Sequence, residues 1–229
     1  MPFQFFASAQ SEPEQEEEIS FVSCHAYKPA FSPSILAERL PIGLFRRHLS
    51  DIKCHIANLP PSHSDAAIQA NSDIIPRVYE GGLKTWEGAF DIIEYLKANI
   101  SVQGLNVLEL GCGSGLPGIQ CLKNGASNVS FLDYNSEVLE TTTYPNVLLN
   151  LTEIESTEEF FDVELQERQL NVEFYAGDWA GLPSLIPGRA FDLILSSETL
   201  YEAKTIPSLF KTMKACLSRT GRMYVSSTL

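Results

Sequence analysis

The feature that most limits what this chain can fold into is a turn with three glycines, Gly111, Gly113 and Gly115. The apolar run Asn106–Leu110 leads directly into the turn and predicts a strand. A helix is predicted to begin at about Leu116, because the proline that follows is tolerated in the first turn of a helix. Glycine reaches positive φ and lets a ligand approach the backbone, so the turn predicts a ligand site between a strand and a helix.

Strand-like and helix-like segments alternate on both sides of this turn. Further strands are predicted at Asn128–Asp133, Asn171–Tyr175, Phe191–Ser196 and Gly221–Ser227. Helices are predicted around Ala89–Leu96, over Ser136–Asn150 and from Ile206. This alternation predicts an α/β fold with a mostly parallel, doubly wound sheet and right-handed crossovers. Such sheets bind ligands at the carboxyl ends of their strands.

Composition changes before the alternating pattern begins. Residues 1–20 predict an acidic, disordered tail, residues 21–75 an irregular lead-in, and residues 76–229 the folded domain. The formal net charge of −13 opposes nucleic-acid binding and suits a basic protein partner. Five scattered cysteines without C-x-x-C spacing predict no metal site. No apolar run approaches the ~20 residues of a membrane-spanning helix, so we expect a soluble protein without a membrane partner. We also expect a monomer.

Acidic residues near the predicted strand ends indicate which ligand the glycine turn binds. Asp133 ends a strand at a place where a carboxylate can accept hydrogen bonds from a ribose diol. Because Gly113–Gly118 also satisfies the fingerprint G-x-G-x-x-G, these features fit NAD and S-adenosylmethionine equally. Glu109 separates the two ligands, because a carboxylate favours the ammonium and sulfonium of S-adenosylmethionine and repels a pyrophosphate.

Two later strand ends carry further candidate residues. Gly177, Asp178 and Trp179 follow the third strand of the pattern, where the carboxylate can accept from an adenine amino group and the indole supplies a flat apolar wall. A turn aspartate beside a core tryptophan is the alternative interpretation. Ser196–Tyr201 follows the fourth strand, where a transferable methyl group would face its acceptor. Its polar side chains predict either an acceptor-orienting site or a capped loop.

Several strings together resemble one enzyme family. Leu108–Gly115 is similar to motif I of the class I, seven-β-strand methyltransferases, which have a Rossmann-like fold. Val78–Glu87 resembles the lead-in of the histidine protein methyltransferases of the methyltransferase-like protein 18 type. Strings that match that family follow in order: Asp133–Asn135, Pro145–Val147, Gly177–Trp179 and Ser197–Tyr201. The resemblance covers about residues 73–227 and does not extend to residues 1–70.

This resemblance implies a pocket for S-adenosylmethionine, with S-adenosylhomocysteine as the product. Members of the family line that pocket at positions equivalent to Thr85, Trp86, Glu87, Gly88, Ala89, Gly111, Gly113, Asp133, Tyr134, Asn135, Gly177, Asp178, Trp179 and Ser197. Glu109, because of its charge, and Gly115, because of its place in the glycine turn, are further candidate cofactor-binding residues. Gly88 and Ala89 depart from the bulkier or polar residues usual in the family. The resemblance also implies methylation of a histidine ring nitrogen in a large-subunit ribosomal protein, a basic partner, in the cytoplasm and nucleus.

The expected chemistry is in-line displacement at the methyl carbon by a neutral imidazole nitrogen. An imidazole has an unperturbed pKa of ~6.5, so the enzyme must orient the ring more than deprotonate it. Glu198 and Tyr201 are the candidate catalytic residues, since either can hydrogen-bond the other ring nitrogen and so select the tautomer. A lysine-directed enzyme of the same class and a catalytically silent cofactor-binding module are the alternatives. An NAD-dependent dehydrogenase is a more distant one, because little chain remains for a substrate domain.

The end of the chain departs from the class I pattern. These methyltransferases have seven strands, and the last two form an antiparallel pair after the fifth. Here Ser226–Leu229 ends the sequence just after the fifth predicted strand. We therefore expect a sheet that lacks the C-terminal hairpin, with an exposed edge and an incomplete acceptor wall.

Overall fold

The computed structural model describes residues 23–32, 34–49, 79–166 and 170–228, so the tail predicted over residues 1–20 lies outside them. The strands are β1 (His25–Tyr27), β2 (Ser34–Arg39), β3 (Phe45–Arg47), β4 (Asn106–Leu110), β5 (Asn128–Asp133), β6 (Phe160–Glu164), β7 (Val172–Ala176), β8 (Phe191–Ser197) and β9 (Leu217–Ser226). The helices are α1 (Glu87–Asn99), α2 (Leu116–Lys123), α3 (Ser136–Val138), α4 (Tyr144–Leu151), α5 (Leu182–Leu185) and α6 (Ile206–Cys216). Within these ranges, no helix combines the length and the apolar character needed to cross a bilayer.

The main sheet has six strands in the order β1-β7-β5-β4-β8-β9. Five strands run parallel, and β1 pairs antiparallel with β7 at one edge. From β4 the sheet extends outward through β5 to β7 and then, on the other side, through β8 to β9. The switch in direction falls between β4 and β8, and a crevice at such a point is where doubly wound sheets bind ligands. The predicted α/β fold with a mostly parallel sheet is confirmed.

Helices cover both faces of the main sheet, because successive residues of a strand face two different apolar cores. On β4, Val107 packs into the core that includes α1, α2 and α4, whereas Leu108 and Leu110 pack into the core that includes α5 and α6. The apolar stripe predicted over Ala89–Leu96 is buried in α1. On the outer side of β9, no strand in the described part of the chain adds to the sheet.

The helix predicted over Ser136–Asn150 is interrupted. A π-helical segment, Leu139–Thr143, separates α3 from α4. Pro145 has no N–H to donate to the carbonyl of Thr141, four residues earlier. Arg47 Nη1 donates to that oxygen instead, at 2.8 Å. The interruption therefore follows from the proline, as its position in the sequence suggested.

β2, β3 and β6 form a separate antiparallel sheet with β2 in the middle. It joins the main domain through α4, where Asn150 Oδ1 accepts from Phe45 N–H at 2.9 Å and Asn146 Oδ1 accepts from Arg47 N–H at 2.6 Å. The irregular lead-in predicted over residues 21–75 contains β1, β2 and β3, which no sequence pattern indicated. β1 and β3 have three residues each, too few to show an alternation of polar and apolar side chains. In β2 the alternation is hidden, because the exposed Leu36 lies between the buried Ile35 and Ala37.

Candidate functional site

A cavity of about 440 Å³ lies at the carboxyl ends of β4, β5, β7 and β8, within the usual size range of small-molecule sites. The predicted site residues that line it are Trp86, Ala89, Gly111, Gly113, Asp133, Tyr134, Asp178, Trp179, Ser197, Glu198 and Tyr201. The predicted site residues that do not line it are Thr85, Glu87, Gly88, Glu109, Gly115, Asn135 and Gly177. The wall includes residues that sequence analysis did not select, among them Ser23, Cys24, Glu80, Gly82, Lys84, Thr199, Lys204 and Ser208.

The glycine turn between β4 and α2 forms one side of the cavity. Gly111, Gly113 and Gly115 have φ angles of +63°, +49° and +70°, in the left-handed region that L side chains rarely adopt. A Cβ atom on Gly111 would lie 2.6 Å from Thr199 Cγ2, and one on Gly113 would lie 3.2 Å from Gly82 O. The turn therefore depends on glycine both for its backbone conformation and for the close approach of neighbouring segments.

Buried side chains outside the turn hold it in place. Thr143 Oγ1 donates to Gly113 O at 2.6 Å, and Asn146 Nδ2 donates to Ser114 O at 2.9 Å. Thr143 belongs to the π-helical segment and Asn146 to α4, and both are fully buried. The Pro145–Val147 string that matched the family thus contains a residue that positions the glycine turn.

Asp133 ends β5 at the cavity, as predicted. Its Oδ2 accepts from Gly113 N–H at 2.9 Å, and its Oδ1 accepts from Asn135 N–H at 3.1 Å. Burial raises the pKa of this carboxyl to about 6; its backbone hydrogen bonds oppose the rise, and the nearby Glu80 adds to it. A carboxylate here can accept further hydrogen bonds from a ligand diol, and its contact with the turn couples that ligand to the glycines.

Glu109 is buried in a different direction from the one the sequence suggested. Its Oε2 accepts from Gly118 N–H in α2 at 2.8 Å, and it does not line the cavity. Burial raises its pKa to about 8, although the Gly118 hydrogen bond lowers it; the charge of Asp133 adds to the rise. Glu109 was predicted to be one of the cofactor-binding residues, and its placement is corrected: strand alternation turns the side chain toward the α2 layer, where it anchors that helix.

The turn after β7 forms another side of the cavity. Gly177 has a φ of +110°, and Asp178 Oδ1 accepts from Ala180 N–H at 2.7 Å to cap a 3₁₀ turn over Trp179–Gly181. Trp179 Nε1 donates to Ser208 Oγ at 3.2 Å, which holds the indole against α6. Asp178 thus caps the turn, as the alternative interpretation of a turn aspartate expected, and it also lines the cavity.

The segment before α1 brings Trp86 into the cavity wall. Its Nε1 donates to Gly81 O at 3.2 Å, and Lys84 Nζ lies 4.4 Å from the centre of the indole ring. The neighbours of Trp86 do not line the cavity. Glu87 is exposed, and Thr85 Oγ1 is a buried atom for which the described residues provide no hydrogen-bond partner.

Glu198 lines the cavity, but both of its carboxylate oxygens contact the protein. Oε1 accepts from Gly88 N–H at 3.1 Å, and Oε2 accepts from Thr228 N–H at 3.0 Å and from its hydroxyl at 2.7 Å. A Cβ atom on Gly88 would lie 2.7 Å from Oε1, which explains the glycine at this position. Glu198, with a φ of +55°, therefore joins the start of α1 to the chain after β9. This geometry supports a positioning role rather than contact with an acceptor ring.

Tyr201 and Glu80 link two segments of the cavity wall that are far apart in the sequence. The Tyr201 hydroxyl donates to Glu80 Oε2. The main chain of Glu80 is fixed in turn, because its N–H donates to Asn135 Oδ1 at 3.1 Å. Burial, followed by the hydrogen bond with Glu80, raises the pKa of Tyr201, so its phenol stays protonated at neutral pH. Glu80 gave no separate signal in the sequence, because its role depends on this distant partner.

The chemistry of the wall fits a cationic ligand with a flat aromatic part. Carboxylates favour a positive charge in the cavity, and indole faces favour an aromatic ring. The carboxylates are those of Glu80, Asp133, Asp178 and Glu198, and the indoles are those of Trp86 and Trp179. No cluster of three or more potential metal-binding side chains occurs in the described ranges.

Comparison with known proteins gives a consistent result. A family model described as lysine methyltransferase matches residues 75–228. A histidine protein methyltransferase 1 homolog of Dictyostelium discoideum is 41% identical over 157 residues, which are 68% of this chain and 46% of that protein. The homolog of that name from Rattus norvegicus is 38% identical over 175 residues, 70% of this chain and 48% of that protein. A protein N-terminal and lysine N-methyltransferase of Cryptococcus neoformans is 30% identical over 141 residues, 61% of this chain and 44% of that protein.

The chain spans about half the length of the curated relatives it matches. The matched region, residues 75–228, contains the glycine turn, Asp133 and the Gly177–Trp179 turn that line or border the cavity. The family description names lysine, whereas the two relatives with the higher identities are named for histidine. The chain therefore belongs to this family of protein methyltransferases, and its resemblance to the histidine protein methyltransferases is confirmed.

Proposed function

We propose that this chain is an S-adenosylmethionine-dependent protein methyltransferase that modifies an imidazole nitrogen of a histidine in a basic protein. The observation that carries the proposal is the cavity at the strand ends, with Asp133 and Asp178 beside the indoles of Trp86 and Trp179. Similarity to proteins named histidine protein methyltransferase supports histidine as the acceptor. The family resemblance implies a large-subunit ribosomal protein as the substrate, and the positive charge of such a protein complements the chain's net charge of −13.

The glycine turn favours a methyl donor over a dinucleotide. A dinucleotide site offers the N–H groups of such a turn to a pyrophosphate. Here Gly113 N–H donates to the Asp133 carboxylate at 2.9 Å, so an acid occupies that position and would repel a phosphate. The same carboxylate attracts the positive charges of S-adenosylmethionine. Two observations therefore support the methyl donor: the Gly113 N–H is engaged by Asp133, and the chain is similar to proteins named as methyltransferases.

S-adenosylmethionine, when bound, supplies an electrophilic methyl group on a sulfonium. The chain's residues bind and orient the reactants around it. Asp133 accepts hydrogen bonds from the ribose hydroxyls, while Asp178 and Trp179 hold the adenine at the turn after β7. Glu198 holds the start of α1, and with it the part of the cavity wall formed by Trp86, in a fixed position relative to the loop after β8.

The Tyr201–Glu80 pair orients the acceptor imidazole. A neutral imidazole attacks through the nitrogen that lacks a proton, so the other nitrogen must carry one. Tyr201 Oη accepts a hydrogen bond from that N–H while its own O–H donates to Glu80. This arrangement selects the reactive tautomer, and the Glu80 carboxylate favours the positive charge that develops on the ring during transfer.

The proposal is tested by single-turnover methyl transfer from labelled S-adenosylmethionine to a basic ribosomal protein, followed by acid hydrolysis. Methylhistidine is the expected product; methyllysine would transfer the assignment to the lysine-directed alternative. Binding of the cofactor without any transfer would show a cofactor-binding module, and absence of binding would refute the proposal. We expect Tyr201→Phe to slow transfer about tenfold without weakening S-adenosylhomocysteine binding. Tyr95→Phe is the matched control, since Tyr95 is 46% exposed and lies outside the cavity.

A further inference from the structure

We propose that Ser23 and Cys24, which precede β1, form a wall of the cofactor site and hold the adenosine part of the ligand against the turn after β7. This inference rests on the proposed function, because it takes the ligand to be S-adenosylmethionine. Both residues line the same cavity as Asp178 and Trp179, although more than a hundred residues of sequence separate the two segments. The family resemblance did not extend to this part of the chain.

Two glycines in the turn after β7 provide the space that Ser23 and Cys24 occupy. A Cβ atom on Gly177 would lie 2.6 Å from Ser23 O, and one on Gly181 would lie 2.8 Å from Cys24 Cβ. Neither distance is compatible with a side chain at the glycine position. The glycine of the Gly177–Trp179 string therefore admits the N-terminal segment as well as providing a positive φ.

Pairing of β1 with β7 fixes where the segment lies. His25 is opposite Ala176, and Tyr27 is opposite Phe174, so the residues just before β1 must pass over the end of β7. Tyr27 Oη donates to Glu140 Oε2 at 2.6 Å and attaches β1 to the π-helical segment. The wall is thus held by main-chain pairing and by a side-chain hydrogen bond.

Cys24 gives this wall its chemical character. The thiol is half-buried and packs with the core that includes Trp179 and α6. Burial, followed by the charges of Asp178 and Cys216, raises its pKa to about 11, so the thiol is neutral at physiological pH. A small neutral thiol beside the Asp178 carboxylate leaves room for a flat ring with a polar edge, and a larger side chain would fill that room.

The first test is calorimetric titration of the full chain with S-adenosylhomocysteine. Cys24→Phe should weaken binding about tenfold or more, because the ring enters the cavity. Ala26→Phe is the control: Ala26 is exposed on β1 and borders a different groove, so this variant should bind like the parent chain. Equal affinity of Cys24→Phe and the parent chain would overturn the inference. If the parent chain does not bind the ligand, the proposed function itself fails.

A second measurement does not depend on how the variant folds. The parent chain is alkylated with N-ethylmaleimide at mildly alkaline pH, and each cysteine peptide is quantified by mass spectrometry. Saturating S-adenosylhomocysteine should slow labelling of Cys24 about tenfold or more relative to the buried Cys216 in the same sample. No slowing of Cys24 would contradict a wall contact. Equal slowing of both thiols would also contradict it, because the protection would then come from a general effect of the ligand on stability.

Discussion

Replacement of Gly111 by alanine tests the central geometry of the glycine turn. Gly111 has a φ of +63°, and a non-glycine residue in this left-handed region costs about 1–2 kcal/mol. The new methyl group would also lie 2.6 Å from Thr199 Cγ2. Thr199 is buried, and its hydroxyl lies 2.8 Å from Ser196 Oγ, so rotation away from the methyl would break that contact. Overpacking of this kind adds about 1–3 kcal/mol, and we expect a total loss of about 2–5 kcal/mol.

Urea unfolding of Gly111→Ala beside Gly104→Ala separates the two effects. Gly104 has a φ of +74°, and a Cβ atom there would have no neighbour within 4 Å, so its substitution measures the backbone cost alone. Thr199→Ser, which removes the offending methyl, should cost about 1 kcal/mol by itself and should recover at least part of the Gly111→Ala loss in the double variant. Equal destabilisation by Gly111→Ala and Gly104→Ala, or no coupling with Thr199→Ser, would show that the Thr199 methyl does not restrict position 111.

Three further outcomes concern acidic residues in or near the site: the buried Asp133 and Glu109, and the partly exposed Glu198. Affinity for S-adenosylhomocysteine should fall as the pH drops through about 6, because Asp133 loses acceptor capacity when it is protonated. Calorimetry in buffers of different ionisation enthalpy should therefore detect proton release on binding near that pH. The pKa of Glu109 is raised from 4.5 to about 8, so this group's contribution to stability is full below 4.5 and is lost as pH rises to about 8. Urea unfolding of Glu109→Gln should therefore show a smaller loss of stability across that interval, and an unchanged slope would contradict the assignment. Glu198→Gln should lower the free energy of unfolding by about 1 kcal/mol, since the amide cannot accept at both Gly88 and Thr228; unaltered stability would argue against the positioning role.

Sequence patterns predicted the centre of the fold well because its strands are buried on both faces. Asn106–Leu110 and Asn128–Asp133 are rich in Val, Leu and Phe, and their bounds in the structure are those predicted. Parallel sheets bind ligands at the carboxyl ends of their strands, which is why Asp133 could be selected, and it lines the cavity there. The Gly111–Gly115 turn was likewise recognisable, since its local conformation requires glycine at fixed positions.

The direction of a side chain on such a strand could not be predicted. Both faces of a doubly wound sheet are apolar, so the pattern around Glu109 does not say which helix layer it meets. Its contact with Gly118 depends on how α2 returns across the sheet. Glu198 presents the same difficulty, because its partners, Gly88 and Thr228, come from opposite ends of the domain.

The N-terminal part of the cavity wall could not be predicted from the sequence, for a related reason. β1 has three residues, and its place is set by pairing with β7 rather than by its own pattern. Ser23 and Cys24 therefore carry no local signal of their position in the cavity wall. The glycine at 177 could have suggested a close approach, but only the structure shows which segment makes it.

The most direct test of the central claim is a calorimetric titration of this chain with S-adenosylhomocysteine, with NAD as a competitor. We predict saturable binding of one ligand per chain, strong weakening by Asp133→Ala, and no displacement by NAD. Asp91→Ala is the matched acidic control, because Asp91 is exposed on α1 and does not line the cavity. Absence of binding, or displacement of the ligand by NAD, would contradict the assignment of the strand-end cavity as a methyl-donor site.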